Sequence, residues 1–76
     1  MRTPTGHEVY GMGAEYPSAA SLYEAAKIVR DAGFKRVTND GFFLVIEARD
    51  PRFTELGARE LLERSGGQYI TIVHKD

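Results

Sequence analysis

Phe34-Lys35-Arg36-Val37-Thr38-Asn39-Asp40-Gly41-Phe42-Phe43-Leu44-Val45-Ile46-Glu47-Ala48-Arg49 occupies the middle of the 76-residue chain, and its reading decides the fold. Residues 34–38 form a short apolar-polar run that predicts a strand. Asn39-Asp40-Gly41 is a turn of the kind that joins neighbouring antiparallel strands, and residues 42–49 predict the returning strand. Because successive side chains of a strand point to opposite faces, Phe42, Leu44, Ile46 and Ala48 are expected toward the core. Phe43, Val45, Glu47 and Arg49 then fall on the other face.

On the N-terminal side of this hairpin the chain punctuates a helix. Ser18 is placed to cap it, with Ser21 and Glu24 in capping-box spacing as a competing start one turn later. Ala19, Leu22, Ala26 and Val29 recur at helical spacing as a buried stripe, and Glu24, Lys27, Arg30 and Asp31 fall toward solvent. Gly33 supplies a left-handed turn at the helix end, and Phe34 is placed to fold back on the last turn. Before Pro17, residues 8–16 alternate as a first strand. Tyr10, Met12, Ala14 and Tyr16 lie on one face, expected to be the core face, and Val9, Gly11, Gly13 and Glu15 lie on the other. Two glycines inside a strand point either to a bulge or to close packing against bare backbone. Residues 1–7, with Pro4, Gly6 and no periodicity, read as a flexible arm.

On the C-terminal side, Asp50-Pro51 stops the strand and Thr54 is the expected cap of a second helix over residues 55–65. Leu56, Ala58, Leu61 and Leu62 mark its buried side, and Glu55 with Arg59 and Glu60 with Arg64 are i,i+4 pairs in the favourable order. Gly66-Gly67 closes this helix, and residues 68–74 alternate as a last strand. The order strand, helix, strand, strand, helix, strand over residues 8–76 predicts one α+β domain of the ferredoxin-like, split βαβ kind. Right-handed crossovers place both helices on one face of a four-stranded antiparallel sheet, with the first and third strands central.

The opposite sheet face is then uncovered. Phe43 and Val45 point to it, together with Tyr69, Thr71 and Val73 from the last strand. Gly11 and Gly13 lie beside them, and Glu47 and Arg49 flank the area. Contiguous apolar surface of this kind marks an interface, so these seven residues are the candidate interaction surface. A chain this short buries only about 60% of the surface its unfolded form exposes, which also favours a partner.

Composition excludes several function classes. Ten Lys and Arg against eleven Asp and Glu give a net charge of -1, without the basic excess of a nucleic-acid binder. An RNA-recognition sheet would carry a basic residue where Asp40 stands and a second aromatic where Val45 stands. No cysteine is present, which removes disulfides, thiolate metal sites, iron–sulfur clusters and a cysteine nucleophile. His7 and His74 lie at opposite ends without a second ligand at metal-site spacing. Asp40, Glu47, Asp50 and Glu55 form no paired-carboxylate signature, and Ser18, Ser21 and Ser65 read as helix-end residues. No cofactor, metal or catalytic residue is therefore expected. No apolar run is long enough to cross a bilayer and no secretory signal is evident, so the chain reads as soluble and cytoplasmic, without direct membrane insertion.

Two segments carry a family resemblance. Val9-Tyr10-Gly11-Met12-Gly13-Ala14-Glu15-Tyr16, with the alanine-rich helix and Arg30-Asp31-Ala32-Gly33-Phe34-Lys35-Arg36, resembles the N-terminal part of the D subunit of alternative complex III. Phe42-Phe43-Leu44-Val45-Ile46-Glu47-Ala48-Arg49-Asp50-Pro51-Arg52-Phe53, with Ala58-Arg59-Glu60-Leu61-Leu62-Glu63, resembles its C-terminal part. That family belongs to a bacterial membrane complex that oxidises quinol, in which the D subunit has no cofactor of its own. The resemblance implies a non-catalytic accessory or assembly subunit docked beside redox subunits, and hence peripheral to the membrane through its partner. This chain departs from the family where the transmembrane pair would stand, having only Thr38-Asn39-Asp40-Gly41 there. The alternative expectation is an ACT-like ligand-sensing module that self-associates as a homodimer and holds a small ligand near the glycine-containing first strand and the first helix N-terminus.

Overall fold

The computed structural model of the protein describes residues 8–39 and 41–74. The expected N-terminal arm, His7 and the turn residue Asp40 lie outside the described residues. The elements run β1 (Val9–Glu15), α1 (Ala19–Asp31), β2 (Arg36–Asn39), β3 (Phe43–Glu47), α2 (Glu55–Arg64) and β4 (Gln68–His74). They build one four-stranded sheet in the order β2-β3-β1-β4, antiparallel at every pairing. This is the α+β ferredoxin-like arrangement, with the first and third strands central.

The helix ends follow local chemistry. The Ser18 hydroxyl accepts from the Ser21 N–H at 3.1 Å while the Ser18 N–H donates to the Ser21 hydroxyl oxygen at 3.1 Å, a reciprocal cap that settles the start of α1. Thr54 caps α2 by accepting from the Gly57 N–H. Both helices close in the same way. Gly33 and Gly66 take φ of +88° and +91°, and the residue after each donates back to the last helical turn, Phe34 to the Val29 carbonyl and Gly67 to the Leu62 carbonyl.

One core lies between the sheet and the helices. Met12, Ala14 and Tyr16 of and beside β1 and Leu44 and Ile46 of β3 meet Ala25 and Val29 of α1 and Ala58, Leu61 and Leu62 of α2. Phe34, Phe53, Ile70 and Ile72 close its edges. The Tyr16 hydroxyl lies 2.7 Å from the Ser65 hydroxyl, and Ser65 donates to the Leu62 carbonyl. A hydroxyl has one hydrogen, so Tyr16 donates to Ser65. Burial raises the Tyr16 pKa, and the bond to Ser65 opposes that shift.

Five local expectations are corrected. Phe42 does not join the core: β2 and β3 close at the Asn39–Phe43 pair, so the loop spans three residues and Phe42 takes a left-handed φ of +57° at its end. That backbone leaves the strand alternation, and its carbonyl is held by the Tyr16 N–H at 2.9 Å. Tyr10 also leaves the core set, because the β1–β4 register shifts between Val9 and Gly11; its hydroxyl donates instead to Glu47 at 3.5 Å. Ala19 is exposed, and Ala25 takes the buried place that the helical stripe had not included. Leu56 is 68% exposed in the first turn of α2, where Ala58 and the later leucines already cover the sheet. No ion pair joins Glu55 to Arg59 or Glu60 to Arg64 among the described residues, as expected where exposed charges gain little in water.

A polar clamp ties the two halves together just past the C-terminal end of α1. Arg52 forks onto Asp50, with Nε 3.2 Å from Oδ1 and Nη2 3.1 Å from Oδ2, and Asp50 also accepts from the Arg52 N–H at 2.9 Å. The same guanidinium donates to the Gly33 carbonyl and lies 5.6 Å over the Phe34 ring. The side-chain bond from Arg52, followed by its backbone N–H, holds the Asp50 carboxyl below the ordinary value, and Asp50 in turn raises Arg52.

Candidate functional site

The face opposite the helices is built in rows set by strand register. Across β2, β3, β1 and β4, one row reads Val37, Val45, Gly13 and Thr71. The neighbouring row on the three longer strands reads Glu47, Gly11 and Val73. Phe43 stands opposite Glu15 on the other side of Gly13. Six of the seven expected surface residues are thus brought together: Gly11, Gly13, Phe43, Val45, Thr71 and Val73. Tyr69 is set apart. The β1–β4 register shifts between Gly13 and Glu15, leaving Tyr69 in a left-handed bulge at φ +53° and 78% exposed.

Both sequence explanations for the β1 glycines hold at once. Register shifts flank the pair, and side chains of β3 lie down on the bare backbone. A Cβ on Gly13 would stand 2.6 Å from Cζ of Phe43, and one on Gly11 would stand 2.8 Å from Cγ1 of Val45 and collide with the Ile46 carbonyl oxygen. Phe43 reaches Gly13 along the cross-strand diagonal, a span that aromatic side chains bridge. Val45 is consequently only 6% exposed although no helix covers it. The surface is flat rather than studded, with Val37 and Thr71 its most exposed members.

Charge is confined to the margin. Glu47 is 8% exposed and pairs with Arg49, whose Nε lies 3.3 Å from Oε1, while the Tyr10 hydroxyl approaches the same oxygen. The two residues expected to flank the face therefore neutralise one another. Val37 belongs to the surface and was missed, because β2 reads as a mixed run in isolation. Its place opposite Val45 follows only from hairpin register. Among the described residues no group of three His, Asp or Glu side chains is placed to hold a metal, and no helix is long and apolar enough to cross a membrane. What the arrangement supplies is apolar contact area with charge at its two ends, the Glu47–Arg49 pair at one and the exposed Glu15 at the other, the anatomy of a protein interface. Comparison with protein-family models, with curated proteins and with solved structures gives no match.

Proposed function

We propose that this protein is a non-catalytic accessory subunit that docks through its open sheet face onto a flat apolar surface of a protein partner. The observation that carries this is the face itself: Phe43 and Val45 lie flat over Gly13 and Gly11, and Val37, Thr71 and Val73 extend an almost uncharged surface on both sides. Sheet faces of this kind are matched by another flat apolar layer about 10 Å away. The resemblance of both halves to the D subunit of alternative complex III supports a partner among the redox subunits of a quinol-oxidising membrane complex, with attachment to the membrane through that partner.

The test is co-purification from mildly solubilised membranes of the producing organism, with haem staining and mass spectrometry of the captured proteins. Haem-bearing quinol-oxidising subunits are expected with the natural chain. They should be lost with Phe43→Asp and with Val37→Glu, the second altering a side chain already 40% exposed and so sparing the fold. Capture that survives Val37→Glu and Phe43→Asp alike, with both variants folded by thermal melting, would remove this face from the assignment. A preparation that yields only a homodimer would move the function to the self-associating ligand sensor.

A further inference from the structure

A second concave surface lies on the helix side of the sheet, away from the proposed docking face. It is a groove of about 540 Å³ between α1 and the β2 edge, within the roughly 300–1,000 Å³ range of small-molecule sites. β2 runs parallel to β1, since each pairs antiparallel with β3. The returning α1 therefore runs antiparallel to β2, which gives the groove two unlike ends. Where α1 finishes and β2 begins stand Lys27, Arg30 and Arg36. Where α1 begins and β2 finishes stand Tyr23 and Phe42, with Thr38 and Asn39 beside them. Leu22 and Ala26 contribute apolar wall between the two.

The cationic end has a definite charge. Arg30 lies 3.4 Å from Asp31, which partly neutralises it. No ion pair engages Lys27 or Arg36 among the described residues. Two uncommitted cations and one shared cation match a phosphomonoester, which carries about -1.5 to -2 at neutral pH, better than a single carboxylate. The opposite end is built for a flat ring. Tyr23 is 74% exposed and Phe42 41% exposed, and Phe42 is held at its mouth by the left-handed backbone described above. A bulky residue at positive φ is strained, and such strain persists at ligand sites where it positions a side chain. Thr38 pairs with the core-facing Leu44, so its side chain stands on the groove side of β2 and its hydroxyl is left to meet a polar atom on a ring edge.

We infer that the α1–β2 groove binds a nucleoside monophosphate, its phosphate on Lys27, Arg30 and Arg36 and its base against Tyr23 and Phe42. This site shares no residue with the docking face except through the fold, so either assignment can fail alone.

Calorimetric titration with adenosine monophosphate tests it, with inorganic phosphate, adenosine and phenyl phosphate as separate probes. Saturable binding of the nucleotide is expected, at least tenfold tighter than any of the three fragments. Lys27→Glu with Arg36→Glu should weaken it at least tenfold. Phe42→Gly should also weaken it at least tenfold while raising the melting temperature of the free protein, a pairing that separates lost recognition from lost folding. No saturable binding at millimolar nucleotide, or phenyl phosphate binding as tightly as the nucleotide, would overturn the assignment. So would unchanged affinity in Phe42→Gly.

Discussion

The ring of Phe43 occupies the space that a side chain on Gly13 would need, 2.6 Å from the position of its Cβ. The residues are diagonal neighbours across β1 and β3, and each explains the other. The glycine gives the ring a seat, and the ring shields backbone that a helix would otherwise have to cover. Their coupling has a sign that can be measured. Gly13→Ala should destabilise the natural chain by about 1 kcal/mol as the ring is displaced. In a Phe43→Ala background the same change should be close to neutral, because the reduced backbone entropy of alanine is then set only against a tight approach to the Leu44 carbonyl oxygen at 3.2 Å. Equal effects in both backgrounds, read from urea unfolding, would contradict the packing described.

Gly11 should be less forgiving than Gly13. Its Cβ would meet the Ile46 carbonyl, part of a paired central strand, rather than the free end of a side chain. Gly11→Ala is expected to cost about 2–3 kcal/mol and, unlike Gly13→Ala, to gain no relief from truncating the β3 side chain above it. The check is the same unfolding experiment with Val45→Ala as the second site.

The Asp50–Arg52 clamp predicts a limb of acid instability. Its carboxyl is held below the ordinary 3.8 by the Arg52 side chain, so the unfolded chain takes up the proton first as pH falls. The stability that Asp50 contributes is complete above that ordinary value and is lost as pH falls through the lowered folded value. Melting temperature followed from pH 6 to pH 2 should fall less steeply in Asp50→Asn than in the natural chain. Parallel curves would show that the clamp is not what acid releases.

Tyr16 predicts the opposite limb. Burial raises its folded pKa above 10.0, so its contribution is complete below that value and is lost as pH rises through the folded pKa. Tyr16→Phe removes the hydrogen bond to Ser65 and should cost about 1 kcal/mol at neutral pH. The same variant should lose less stability than the natural chain between pH 9 and pH 12, measured by thermal melts across that range.

Phe42→Gly is expected to stabilise the free protein by about 1 kcal/mol. Relief of the left-handed backbone is worth roughly 1–2 kcal/mol and outweighs the loss of a ring that is already 41% exposed. A lowered melting temperature would mean that the burial of the ring outweighs the strain.

The order of elements, the caps at Ser18 and Thr54, the glycine closures at Gly33 and Gly66 and the inward faces of Met12, Ala14, Leu44 and Ile46 were all legible in the residues. Each depends on chemistry within a few positions of the chain. Helix termini are closed by their own neighbours, and a strand's alternation assigns its faces without reference to any other strand. The existence of a bare sheet face followed from that order, because two short crossovers cover one side only.

Tertiary structure alone decided which residues complete that face and what they do there. Val37 enters it, and Phe42 leaves the core, because the hairpin closes at Asn39 and Phe43. Turn residues do not announce whether a loop has two members or three. The seat of Phe43 on Gly13, the reach of Arg52 to the Gly33 carbonyl, and the lining of one groove by Lys27 and Arg36 join positions far apart or on different elements. Such contacts are selected by register and by the packing of the whole core, where a shift of one residue turns every side chain to the other face.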